Sequence, residues 1–161
     1  MDWRLCLVAD VEAAAGRNLI NLSLEAVEAG VTLVQLRAKQ LEGGPFLSLA
    51  ERLSAELNRK KIPLIINDRV DVALAVGADG VHVGANDMPV ALARRMMGPH
   101  AIIGASTCGG TSFRVAEQEG ADYVAVGTIF PSPTKPEKDA IGVEALARMT
   151  GRTRLPVCAI G

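Results

Sequence analysis

The runs VTLVQLR (31–37), PLIIN (63–67), GVHVG (80–84), AIIGAS (101–106) and YVAVG (123–127) are apolar at almost every position rather than at every second one. A strand with one wet face alternates. A strand that is apolar throughout is covered on both faces, the environment of a parallel sheet flanked by helices. With RLCLVAD (4–10) in front and PVCAIG (156–161) at the end, seven such strands are expected. The stretches between them read as helices: residues 19–30, 45–60, 69–78, 89–97, 111–120 and 142–150. In the second of these, Phe46, Leu49, Leu53 and Leu57 share a face at helical spacing, and Pro45 suits the first turn.

Strand-helix alternation of this kind leads to a (β/α)-barrel or an open doubly wound sheet. No G-x-G-x-x-G follows the first strand, so the dinucleotide-binding form of the open sheet is disfavoured. The expected fold is therefore α/β, a TIM (β/α)8-type barrel forming a single domain over residues 1–161. A complete barrel takes at least about 200 residues, and this chain ends on its seventh strand. The expectation is an incomplete barrel, C-terminally short, with no eighth strand and open edges at the first and seventh strands. GADGVHVG (77–84) also recurs as GADYVAVG (120–127), an internal echo of helix end plus strand.

Composition narrows the function classes. A net charge of −1 gives no broad electrostatic footprint for nucleic acid or an anionic membrane. Cys6, Cys108 and Cys158 are odd in number and without C-x-x-C spacing, which suits reduced thiols in a cytoplasmic protein. The start has no signal-peptide pattern, and no apolar run reaches the ~18 residues of a membrane span. Self-association is left open.

Barrel enzymes carry their chemistry just beyond the strand C-termini. Here the second strand offers Gln35, Arg37 and Lys39, the third Asn67 and Asp68, and the fourth Asn86 and Asp87. The fifth offers Ser106 and Thr107, and the loop after the sixth Ser132, Thr134 and Lys135. Mg²⁺ takes oxygen ligands, typically one or two carboxylates with phosphate oxygens and waters, and Asp68 and Asp87 are candidates. Arg37 offers a planar fork for phosphate, while Lys39 and Lys135 act as point charges. Each group has a structural alternative: Asn-Asp after a strand is a common turn or helix cap, and PSPTKP can be merely a stiff turn. His82 suits a satisfied core position and His100 an exposed loop. The coincidence of anion- or metal-competent groups at five successive strand ends favours a site.

LCLVAD, VQLRAK, INDRVDVALAVGADGVHVGANDMP, IGAST and GADYVAVGTIFPSPTK, in this order and spacing, resemble the thiamine phosphate synthase (thiamine-phosphate pyrophosphorylase) family. The resemblance implies a transferase of thiamine biosynthesis that joins a hydroxymethylpyrimidine diphosphate to a thiazole phosphate, releasing pyrophosphate with help from Mg²⁺. It implies that Asp68 and Asp87 hold the metal, and that Arg37, Lys39, Asn67 and Lys135 bind the diphosphate. Gln35 and Ser106 would place the pyrimidine and its leaving group, and Ser132 and Thr134 would contact a substrate phosphate. Arg37, Ser106 and Lys135 would support the chemical step. The family's thiazole-phosphate site after strands seven and eight is represented by Gly161. Departures from the family pattern are Ala85 for Gln, Thr128 for Pro, Ser132 for Thr, and Cys6 and Ala9 for Tyr and Thr. A thiazole tautomerase-like isomerase of the same fold, or a non-catalytic homologue that binds a phosphorylated ligand, are the alternatives. The combined carboxylate and cation set argues against the first.

Overall fold

The computed structural model describes residues 1–107, 113–131 and 139–161. By contact the chain divides into two compact units, Met1–His82 with Met96–Ile102, and Val83–Arg95 with Ile103–Gly161.

In the first unit, strands β1 (Cys6–Asp10), β2 (Leu33–Arg37), β3 (Leu64–Asn67) and β4 (Gly80–Val83) pair in parallel in chain order. Helices α1 (Val11–Ala14), α2 (Leu19–Glu28), α3 (Gly43–Lys60) and α4 (Val70–Val76) connect them. Residues 33–36, 64–66 and 80–83 are all buried, as continuous apolar runs require. β1 is only half-buried, being the last strand of its ladder. On α3 the buried face is Phe46, Ala50, Leu53, Ser54 and Leu57, with Ala50 rather than Leu49 turned fully inward. The helix begins at Gly43, two residues before the expected Pro45. The short α1 is absent from the sequence expectation. Asp10 caps it, accepting from the Ala13 N–H at 3.0 Å, so the last residue of β1 starts the next element directly.

In the second unit, β5 (Ile102–Ser106), β6 (Tyr123–Val126) and β7 (Val157–Ala159) form a parallel ladder in chain order. Its helices are α5 (Val90–Met97), α6 (Phe113–Gln118) and α7 (Gly142–Thr150). β5 and β6 are largely buried, whereas β7 is half-buried to exposed. The α/β class and, among the described residues, the seven strands follow the sequence expectation. No helix among the described residues is long and apolar enough to cross a membrane.

The GAD echo has a structural cause, and it has a third member. Gly30, Gly77 and Gly120 stop their helices with φ of 110°, 60° and 91°. The next residue's N–H returns to the helix, Val31 to Ala26 O, Ala78 to Ala73 O and Ala121 to Ala116 O, which is the long bond of a Schellman stop. The third residue then locks the neighbouring strand. Thr32 Oγ1 accepts from Leu5 N–H at 3.1 Å, Asp79 Oδ2 from Leu64 N–H at 2.8 Å, and Asp122 Oδ2 from Ile103 N–H at 2.7 Å. Each lock satisfies an N–H at the start of a strand and fixes which residues stand side by side at the opposite, C-terminal end. Close approach adds a further constraint: a Cβ on Gly80 would lie 1.9 Å from Ile102 O.

Candidate functional site

β2 and β3 run in register, so their C-terminal residues arrive together at one end of the first unit. Gln35 and Arg37, two positions apart, project from the same face of β2; Gln35 is 7% exposed. Arg37 Nη1 hydrogen-bonds Asp10 Oδ2 and lies 3.6 Å from Glu12 Oε2. Asp10 and Arg37 are direct neighbours on the last rung of the β1–β2 ladder. Burial alone pushes the Asp10 carboxyl up. The Ala13 amide, the Glu12 carboxyl and the Arg37 guanidinium together outweigh it, so Asp10 stays below the usual carboxylate range.

Two residues past β2, the loop carries Lys39, whose Nζ lies 2.9 Å from Asp68 Oδ2. Lys39, Asn67, Asp68 and Arg69 line a cavity of about 160 Å³ together with Ala38, Leu41 and Phe46. Asp68 sits in an unusual turn. Its φ is +63°, its N–H donates to His82 O at 2.8 Å, and Arg69 N–H donates back across it to Asn67 O at 2.8 Å. The left-handed region costs a side chain-bearing residue about 1–2 kcal/mol, and Asp is among the few types that tolerate it. The helix-cap alternative fails for this residue. The N-cap of α4 is Arg69, with no side-chain cap bond, and the Asp68 carboxylate faces Lys39 instead. Arg69 forks onto Asp71 through Nε at 2.8 Å and Nη2 at 2.6 Å. That hydrogen bonding, opposed by partial burial, holds the Asp71 carboxyl low and the Arg69 guanidinium high.

In the second unit, Asp87 and Ser106 share a cavity of about 180 Å³ with Glu119, Met88, Val90 and Val115. Asp87 Oδ2 accepts from Gly84 N–H at 3.1 Å and its own N–H donates to Gly84 O at 3.2 Å. Here the turn alternative holds in part: the carboxylate closes the loop after β4. Gly161 has φ of 93°, and its carbonyl accepts from Phe130 N–H at 3.0 Å. A Cβ there would meet Thr128 Cγ2 at 2.9 Å. Cys108, Ser132, Thr134 and Lys135 lie outside the described residues.

Within the first unit, then, the structure gathers Lys39, Asn67 and Asp68 at one cavity, with Arg37 on the adjoining strand end. Within the second it gathers Asp87 and Ser106. The sequence expectation omitted Arg69, Asp10 and Glu12. Arg69 directly follows the Asn-Asp pair and was readable as a further cation. Asp10 ends a strand just as Arg37 does, but only the strand register makes them neighbours. Among the described residues, no three His, Cys, Asp or Glu side chains cluster as a metal cage. A cavity whose partly apolar wall carries one carboxylate, one amide and two cations is suited to an anionic ligand, alone or with a hard cation.

Comparison with known proteins points the same way. A family model described as "Thiamine monophosphate synthase" matches residues 5–161. The thiamine-phosphate synthase of Caldanaerobacter subterraneus is 40% identical over 161 residues, covering 100% of this chain and 75% of the relative. That of Chloroflexus aurantiacus is 43% identical over 162 residues, covering 100% of this chain and 74% of the relative. Among solved structures, thiamine phosphate pyrophosphorylase from Pyrococcus furiosus superposes with a TM-score of 0.83 at 34% identity, over 98% of this chain and 74% of that one.

Proposed function

This chain belongs to the thiamine monophosphate synthase family of transferases, and we propose that it joins a hydroxymethylpyrimidine diphosphate to a thiazole phosphate by a leaving-group mechanism. The bond between the pyrimidine methylene carbon and the diphosphate oxygen breaks, and its electron pair leaves with the diphosphate. The thiazole nitrogen lone pair then forms the new C–N bond, giving thiamine phosphate and pyrophosphate. Such a step needs charge stabilisation on the departing group more than it needs an acid-base pair.

The residues fall into roles on that basis. Arg37, Lys39, Asn67 and Lys135 hold the diphosphate, and Gln35 and Ser106 place the pyrimidine. Ser132, Thr134 and Gly161 contribute to phosphate recognition. The observation that carries the reading is Asp68: a costly backbone conformation, no capping duty, and a carboxylate aimed at a substrate-competent lysine. Backbone strain retained at such a position is a mark of a functional constraint. The ion pair itself is readily exchanged, because the Lys39 side chain is 48% exposed.

Mg²⁺ is the cofactor in this proposal. Asp68 and Asn67 carry hard oxygen donors and line the same cavity, which fits an ion that binds through few carboxylates and completes its shell with phosphate and water. Asp68 and Asp87 are the carboxylates assigned to it, and when bound it would draw charge from the leaving diphosphate. The setting proposed is cytoplasmic. Single-turnover kinetics test the role assignment: Arg37→Ala and Lys135→Ala should slow the chemical step by at least about 100-fold, and unchanged rates would remove either residue from the site.

A further inference from the structure

The Asp10–Arg37 contact raises a question of charge. An arginine meant for an anion is held by one carboxylate, with a second nearby. If the guanidinium served by charge alone, Asp10 and Glu12 would weaken it. The geometry resolves the tension. Both ion pairs use Nη1, so among the described residues Nη2 and Nε keep their donors for another acceptor. An arginine fork presents five N–H groups in a fixed plane, and gripping one corner orients the rest. Asp10 is itself fixed, by its place on the last rung of the ladder and by the Ala13 N–H on its other oxygen. Its side chain is 11% exposed. Glu12 reaches further, accepting from Gln40 N–H at 3.0 Å through Oε1. Gln40 directly follows Lys39, so Glu12 of α1 ties down the backbone next to Lys39.

We propose that Asp10 is a positioning residue for diphosphate recognition, holding Nη1 of Arg37 so that its Nη2–Nε edge faces the anion, and that Glu12 fixes the Lys39 loop through the Gln40 amide. This rests on the reading that Arg37 binds the diphosphate. The benefit is pre-organisation: a long side chain already held in its binding rotamer loses less freedom when the ligand arrives.

Calorimetric titration with inorganic pyrophosphate tests it on the intact 161-residue chain, using Asp10→Asn, Asp10→Ala, Arg37→Ala and the Asp10→Ala/Arg37→Ala double variant. Asp10→Asn keeps a cap acceptor for Ala13 and a neutral partner for Arg37, so α1 survives even if Asp10→Ala frays it. Positioning predicts weaker pyrophosphate binding in Asp10→Asn, by about 3- to 10-fold, despite the gain of one positive charge. A charge-only role predicts tighter binding and would overturn the proposal. Arg37→Ala should weaken binding about 10- to 100-fold, the worth of a charge-assisted pair, and the double variant should be no worse. Additive losses would show that Asp10 acts independently of Arg37, also overturning the proposal. If Arg37→Ala alone changes nothing, the underlying reading fails instead. Steady-state kinetics supply a second readout: KM for the diphosphate substrate should rise in Asp10→Asn while KM for the thiazole phosphate stays constant, and equal rises in both would count against positioning.

Discussion

Lys39 Nζ and Asp68 Oδ2, 2.9 Å apart, tie the loop after β2 to the loop after β3. In the free protein each neutralises the other, and each is assigned a different partner in the working complex. Substrate and metal would therefore replace a pair that already exists, keeping an exposed cation and a strained carboxylate in place until both are needed.

Removing the charge of Asp68 while keeping its shape isolates that function. Asn tolerates the left-handed backbone nearly as well as Asp, so Asp68→Asn should fold normally and lose at least about 100-fold in turnover. Initial rates measured over a range of Mg²⁺ concentrations check this. A wild-type rate at saturating Mg²⁺ would remove Asp68 from the metal assignment. Asp68→Ala should show the same catalytic loss plus about 1 kcal/mol of destabilisation from the backbone.

The strand locks make a stability prediction. Asp79→Ala and Asp122→Ala each strip the acceptor from an N–H at the start of a strand, at an expected cost of about 1–3 kcal/mol each in denaturant unfolding. Asp122→Ala should be the worse of the two, because Arg94 Nη2 also depends on that carboxylate at 2.5 Å. Equal midpoints for wild type and both variants would contradict the lock.

Gly80→Ala is the severe case. Its new methyl would meet backbone, the Ile102 carbonyl at 1.9 Å, and backbone cannot turn aside as a flexible side chain can. A loss of at least about 3 kcal/mol is expected, read as insoluble expression or a much lower unfolding midpoint. A variant as stable as wild type would show that the approach is not as close as described.

Acid should erase the contribution of Asp10. Its folded carboxyl titrates below the ordinary value, so the stability it adds is present above the unfolded carboxyl's pKa of about 3.9 and is lost as pH falls through the lower folded value. Wild type should thus exceed Asp10→Asn in denaturant midpoint at pH 7 and at pH 5, with the gap closing as pH falls below the ordinary carboxyl value. A gap that stays constant with pH would mean that the charge of Asp10 contributes nothing.

The strand-helix order was legible because five of the strands are covered on both faces, which imprints unbroken apolar runs on the sequence. α1 was not. Four residues carry no periodicity, and its cap, Asp10, reads equally well as the end of β1. The strand-end residues could be named from the sequence because each follows its apolar run immediately. Their partners could not. Asp10 and Arg37 are 27 positions apart and become neighbours only through a ladder register that is set at the far end of the strands, where Thr32 meets Leu5. At Asp68 the sequence left two readings open, a turn or a helix cap, and could not choose between them. What distinguished them was the φ of one residue and the direction of one carboxylate.

The most direct test of the account is a product assay by mass spectrometry. The chain would be incubated with hydroxymethylpyrimidine diphosphate, thiazole phosphate and Mg²⁺, beside a protein-free control and the Asp68→Asn variant. Thiamine phosphate and pyrophosphate are expected in equal amounts with the wild-type chain, and background levels in the other two. Equal product from wild type and Asp68→Asn, or none above the protein-free control, would contradict it.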